Sequence, residues 1–170
     1  MQHGLANIFT ALRLLALALA CACAALPAQA DDYADVSQLL SSGKLAEAAI
    51  KADNYLAAKP RDPQMRFLKG VIERSAGKVN EAITTLTQLT QDYPELAEPY
   101  NNLAVLYAGQ GQLDKARAAL EMAVRANPDY AIAHENLGDV YVRLANQAYG
   151  KARQIDGGKG STPKPANTQQ

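Results

Sequence analysis

AEPYNNLAVLYAGQGQLDKARAALEMAVRANPDY, residues 97–130, is the stretch from which the fold is read. Tyr100, Leu103, Ala104 and Tyr107 recur at the three- and four-residue steps of one helical face. Gly111 interrupts the pattern, and glycine readily takes the left-handed conformation that closes a helix. Ala116 and Leu120 resume the helical step. Pro128 stops it, because proline lacks an amide donor and clashes inside a helix. The spacing predicts two helices joined by a tight turn. The same skeleton recurs upstream: Gly43, Gly77 and Gly111 stand 34 residues apart, as do Ala48, Ala82 and Ala116, and Pro60, Pro94 and Pro128. A fixed period of that length marks a stacked repeat, in which each unit buries its apolar face against its neighbours.

Around this stretch the chain is 170 residues long, the size of one domain, and its 17 basic and 17 acidic residues cancel. That balance argues against nucleic acid and anionic membrane surfaces, which require clustered Lys and Arg. The one dense apolar run is N-terminal. Leu14 to Leu26 holds only Leu, Ala and Cys, follows Arg13 and precedes Ala28-Gln29-Ala30. This is the order of an export signal, residues 1–30, cut between Ala30 and Asp31. A spanning helix requires ~20 apolar residues, so no span is expected after cleavage, and the mature chain is expected in the periplasm or secreted. Cys21 and Cys23 both lie inside the signal, leaving the mature chain no thiol for a disulfide, a metal or a nucleophile. An uncleaved anchor and lipidation at Cys21 or Cys23 are the alternatives. Against lipidation, Ala18 and Ala20 stand where lipoprotein signals carry Leu.

The repeat domain is expected over residues 31–156, in units of about 31–62, 63–96, 97–130 and 131–156. The first helix is expected from Asp32 to Leu40, so that cleavage falls where it starts, and the second from Lys44 to about Ala58. In the second unit Met65, Leu68 and Ile72 are spaced as one face, turned by one position from that of the third unit. Lys69 and Glu73 then form an exposed i, i+4 pair. Ile83, Leu86 and Leu89 hold the following threonine-rich helix by packing, since threonine is a poor helix former. In the fourth unit the period breaks: Ala145 replaces the turn glycine and Gly150 replaces the packing alanine. Leu137, Val140, Tyr141, Leu144, Ala148, Ala152 and Ile155 keep helical spacing throughout. One continuous helix is therefore predicted from about Ala131 to Ile155, ~37 Å long at 1.5 Å per residue, serving as the terminal cap a solenoid requires. Gly150 is its weakest point. The polar, Gly- and Pro-containing segment 157–170 has no core-forming residues and is expected to be disordered.

The chain resembles tetratricopeptide repeat proteins over about Asp31 to Ile155, and its fourth unit resembles the ending of small exported proteobacterial members. The resemblance implies an all-α, right-handed α-solenoid of antiparallel helix pairs: about three units plus a long C-terminal capping helix. It also implies a concave face, lined by the first helices, that binds a protein or peptide. Carried onto this sequence, that face would present Tyr33, Ser37 and Leu40; Phe67, Val71 and Arg74; Asn101, Asn102, Val105 and Ala108; and Glu135, Asn136, Asp139 and Val142. Asn102 and Asn136 are 34 apart, and in relatives an Asn there often bonds the ligand backbone. An amide donates and accepts at once, as an extended peptide requires. On this reading replacing both by Ala abolishes capture and leaves stability almost unchanged. Phe67 and Val71 would add an apolar step. No basic set accompanies the asparagines, which argues against capture of a carboxylate-terminated chaperone tail.

Catalysis is not expected. The mature chain holds one histidine, His134, at the position of Tyr100 in the preceding unit, which reads as a packed ring; a lone histidine builds no multi-histidine zinc site. Gly157-Gly158-x-Gly160 follows no strand, so it is a linker and no phosphate loop. Neither cofactor nor metal is implied. Two functions fit: an envelope adaptor or assembly factor that binds a partner through the concave face, or a structural subunit that stacks on itself or on an envelope complex.

Overall fold

The computed structural model describes residues 28–157. Most of the expected signal and the polar tail from residue 158 lie outside the described residues. Among the described residues seven helices follow one another: α1 Ala28–Ser41, α2 Leu45–Ala58, α3 Pro63–Ser75, α4 Val79–Asp92, α5 Ala97–Gly109, α6 Leu113–Ala126 and α7 Ala131–Ile155. They form antiparallel pairs, α1 with α2, α3 with α4 and α5 with α6, and α7 closes the series. The chain is an all-α helical-repeat solenoid. Helix α1 begins at Ala28, earlier than expected, so the predicted cleavage bond Ala30–Asp31 falls in its first turn.

The 34-residue period is written into the hydrogen bonds. Gly43, Gly77 and Gly111 adopt φ of 72°, 72° and 74°, a conformation that costs other L-residues roughly 1–2 kcal/mol. The residue after each donates its amide to the carbonyl five positions back: Lys44 to Leu39, Lys78 to Glu73 and Gln112 to Tyr107, all at 2.9 Å. This reuses carbonyls that the helix end leaves without partners. After each second helix Pro60, Pro94 and Pro128 sit inside equivalent turns, closed by Asp62 N to Lys59 O, Leu96 N to Tyr93 O and Tyr130 N to Asn127 O, all at 3.2 Å. The imide fixes φ there without removing a needed donor.

Packing follows the same period. Ala48, Ala82 and Ala116 are fully buried, each in the core cluster of its own repeat. Met65 and Ile72 are buried and Leu68 half-buried, so α3 turns its face as the spacing requires. Gly70 on that helix lies under Leu86: a Cβ built there would stand 2.7 Å from Leu86 Cδ2 and 2.8 Å from Cγ. Lys69 corrects an expectation. It does not pair with Glu73; its Nζ reaches Asp53 Oδ1 on α2 at 2.6 Å, tying one repeat to the next.

Helix α7 runs for 25 residues without a break at Gly150. Only its first half is covered. Ala133 and Val140 are buried and Leu137 and Leu144 half-buried against α5 and α6, whereas Tyr149 and Ile155 are 43% and 74% exposed. The deleted turn explains this: a second helix folded back at residue 145 would have covered that stripe, and the fused helix instead runs on past α6.

Candidate binding groove

The first helices of successive pairs, α3, α5 and α7, bring six of the fourteen residues expected on this face to two hollows on either side of α5. One hollow lies between α5 and α7, with a volume of about 440 Å³. Its walls include Val105, Ala108, Asn136, Asp139 and Val142, all of them expected on this face. They also include Ala104, Gly109, Leu120, Val140 and Arg143, which sequence reasoning missed. The signal for two of these was present: Ala104 and Gly109, together with the expected Ala108, are small residues at helical steps, and side chains that stop short leave a hollow. Arg143 closes the far rim, its Nη2 donating to the Ala108 carbonyl at 3.0 Å.

The second hollow, about 280 Å³, lies between the starts of α3 and α5. Phe67 lines it together with Pro63, Gln64, Leu96, Glu98 and Pro99. Two prolines stand here because proline is tolerated in the first helical turn. Phe67 also packs against the cluster of Ala82, Leu86, Leu103 and Leu106, so its ring serves the core and the surface at once. Val71, half-buried, lines neither hollow.

A polar ridge separates the hollows. Arg74 Nη1 on α3 donates to Asn102 Oδ1 at 2.7 Å, and Asn102 Nδ2 donates to the Glu98 carbonyl at 3.0 Å. Asn136 Nδ2 on α7 donates to Asn101 Oδ1 at 2.8 Å. These contacts correct the picture of two free amides waiting for a ligand. Asn101 and Asn102 are 6% and 8% exposed, and their side chains link α3, α5 and α7 into one surface. Asn102 lies in a crowded seam between two first helices, where an amide without a partner would be costly to bury. The expectation that Asn102→Ala leaves stability unchanged is therefore withdrawn.

The charge on this surface is mostly negative. Glu135 and Asp139 are exposed and hold no ion pair among the described residues. Glu98 is also exposed, and its charge adds to burial in pushing the nearby Tyr130 phenol above its ordinary pKa. His134 is not the packed ring that was expected: it is exposed, with Nε2 2.8 Å from the Pro128 carbonyl. Tyr33, expected on the open face, is committed elsewhere. Its hydroxyl donates to Asp62 Oδ2 at 2.6 Å and meets Tyr55 Oη at 2.8 Å. Burial first, then the bonds to Asp62 and Tyr55, push its pKa far above the ordinary tyrosine value. Asp62 Oδ1 meanwhile caps α3 by accepting from Met65 N at 2.8 Å. Among the described residues no group of three or more His, Cys, Asp or Glu is placed to hold a metal ion, and no helix is long and apolar enough to cross a membrane.

Comparison with known proteins gives the same repeat. Two family models described as tetratricopeptide repeat match residues 28–97 and 73–138. A chloroplast tetratricopeptide repeat domain-containing protein of Arabidopsis thaliana, PYG7, is 48% identical over 50 residues, 29% of this chain and 17% of that protein. The chain spans between 17% and 26% of the length of the curated relatives it matches. A thermophilic tetratricopeptide repeat protein of Thermus thermophilus is similar in structure, with TM-score 0.62 and 26% identity, covering 74% of this chain and 70% of that one. The Yersinia enterocolitica type III secretion chaperone SycD, solved with a peptide of the translocator YopD, superposes with TM-score 0.61 at 14% identity, covering 67% of this chain and 92% of that one.

Proposed function

The chain belongs to the tetratricopeptide repeat family, and on that premise we propose that it is a non-enzymatic adaptor or assembly factor that binds a segment of a protein partner across α5. The observation that carries this reading is the pairing of two apolar hollows with a polar ridge between them on one open face. Concave sites with apolar walls and a few fixed polar groups are the usual form of a binding site. A chaperone of the same fold takes a translocator peptide, which supports a peptide-sized occupant here. The spread of titratable groups supports a role without chemistry, since no nucleophile–base pair stands in either hollow.

Export completes the proposal. The order Arg13, Leu14 to Leu26, Ala28-Gln29-Ala30 supports a mature chain that starts at Asp31 and works in the cell envelope. Sequencing the N-terminus of the protein recovered from the envelope tests it: Asp31 as first residue is expected, and an intact Met1 or a lipidated Cys21 or Cys23 contradicts it. The binding reading is tested by crosslinking in the native envelope with Val105→Asp as control. That exposed side chain lines a hollow, so the variant should fold normally and lose the crosslinked product. A product unchanged by the substitution contradicts concave-face binding.

One observation favours a second reading, a structural subunit that associates with itself. Tyr141, Tyr149 and Ile155 on α7 are 48%, 43% and 74% exposed. Sedimentation at several concentrations separates the readings: a concentration-independent monomer removes self-association.

A further inference from the structure

Resting on the groove reading, we propose that the occupant is an extended, cationic segment with two apolar side chains four residues apart and at least one Lys or Arg flanking them. Three features of the surface lead to this. Each hollow has apolar walls and a carboxylate among its own lining residues: Glu98 beside Phe67 in one, Asp139 beside Val105 in the other. Glu135 lies one helical turn before Asp139 and adds a third negative charge. The two arginines nearby, Arg74 and Arg143, spend hydrogen bonds on Asn102 and on the Ala108 carbonyl. The guanidiniums keep their charge but are each pinned by a bond to a neutral acceptor, and the carboxylates outnumber them three to two, so an acidic ligand meets net repulsion. A basic ligand meets the carboxylates directly.

The spacing comes from α5. Glu98 and Pro99 line one hollow and Ala104 to Gly109 the other, about eight residues along the same helix. That is ~12 Å of rise, or ~15 Å once the sideways step from one side of α5 to the other is added, with neighbouring helices ~9 Å apart. An extended chain covers ~15 Å in four to five residues, and an even step returns a side chain to the same face, which selects four. The ridge between suits the main chain of such a segment: half-buried Arg74 and Asn136 each make one hydrogen bond and keep further donors, and an extended backbone has spare acceptors.

An array of ten-residue peptides, varying in charge and in the spacing of two leucines, tests this with the full chain as probe. The expected result is retention of lysine-flanked peptides with a four-residue leucine spacing, and weaker retention of spacings of three or five. The double variant Glu135→Lys with Asp139→Lys alters two exposed positions and should leave folding intact. It should weaken the lysine-flanked peptides roughly tenfold and favour glutamate-flanked ones. If acidic or uncharged peptides are preferred, and Val105→Asp still abolishes their retention, the charge and spacing assignment is overturned while the groove reading stands. If no peptide is retained, or retention ignores every groove substitution, both fall.

Discussion

Replacing Gly70 by alanine should destabilise the protein, and the sign should reverse when Leu86 is also shortened. Gly70 is buried inside α3, and Leu86 on α4 is fully buried above it. An added Cβ would meet Leu86 Cδ2 at 2.7 Å and Cγ at 2.8 Å. Because Cγ is involved, a rotation of the terminal methyls does not relieve the clash; the two helices must separate by several tenths of an ångström. Overpacking of this kind costs about 1–3 kcal/mol, while the gain in helix propensity from Gly to Ala is about 1 kcal/mol. The net expectation is a loss of about 1 kcal/mol. In a Leu86→Ala background, itself destabilised by ~2–5 kcal/mol, the obstacle is gone and the same change should stabilise by up to ~1 kcal/mol. The coupling of ~2 kcal/mol is large enough to read from urea unfolding followed by circular dichroism. Gly70→Ala changing stability equally in both backgrounds would refute the close approach of α3 and α4.

Other consequences follow from particular contacts. Asn102→Ala removes the acceptor for Arg74 and a donor to the Glu98 carbonyl in a site 8% exposed, so thermal or urea unfolding should reveal a loss of about 1–2 kcal/mol. Asp62→Ala removes the cap on Met65 N and the acceptor of the Tyr33 hydroxyl; a loss of ~2 kcal/mol is expected, and Asp62→Asn should recover part of it. Tyr33 gives an alkaline dependence. Its folded pKa is raised, so its contribution is complete below the ordinary tyrosine pKa of ~10 and is lost as pH rises beyond that value. Stability measured near pH 8 and near pH 11 should therefore fall, and the fall should shrink in Tyr33→Phe; an equal fall in both proteins would contradict the burial and bonding of that hydroxyl.

Most of the fold was legible because the repeat speaks through backbone chemistry. Gly43, Gly77 and Gly111 mark positions with positive φ, and the three prolines mark turns that need no donor; these demands do not depend on distant contacts. The fused α7 was legible too, since a missing turn glycine leaves an unbroken helical spacing. Side-chain commitments were harder to read. Lys69 has a carboxylate four residues ahead, yet pairs with Asp53 on another helix, a partner that only tertiary packing supplies. Asn102 and Asn136 carry the repeat spacing of ligand-binding amides, but nothing in the sequence says that Arg74 and Asn101 reach them first. The burial of Gly70 was invisible for a related reason: its neighbour Leu86 lies sixteen positions on, across a turn. The hollow beside Ala104, Ala108 and Gly109 was half legible, because small residues announce space without saying whether a neighbour fills it.

The most direct test of concave-face binding is photo-crosslinking from single positions in cells that express the protein. A photoreactive residue at Val105 or Asp139 sits in the hollow between α5 and α7. At Ala118 or Arg125 it sits on exposed positions of the second helix α6. A defined protein adduct from Val105 and Asp139, and none from Ala118 and Arg125, is the predicted result. Adducts formed from α6 with the groove positions silent would contradict it.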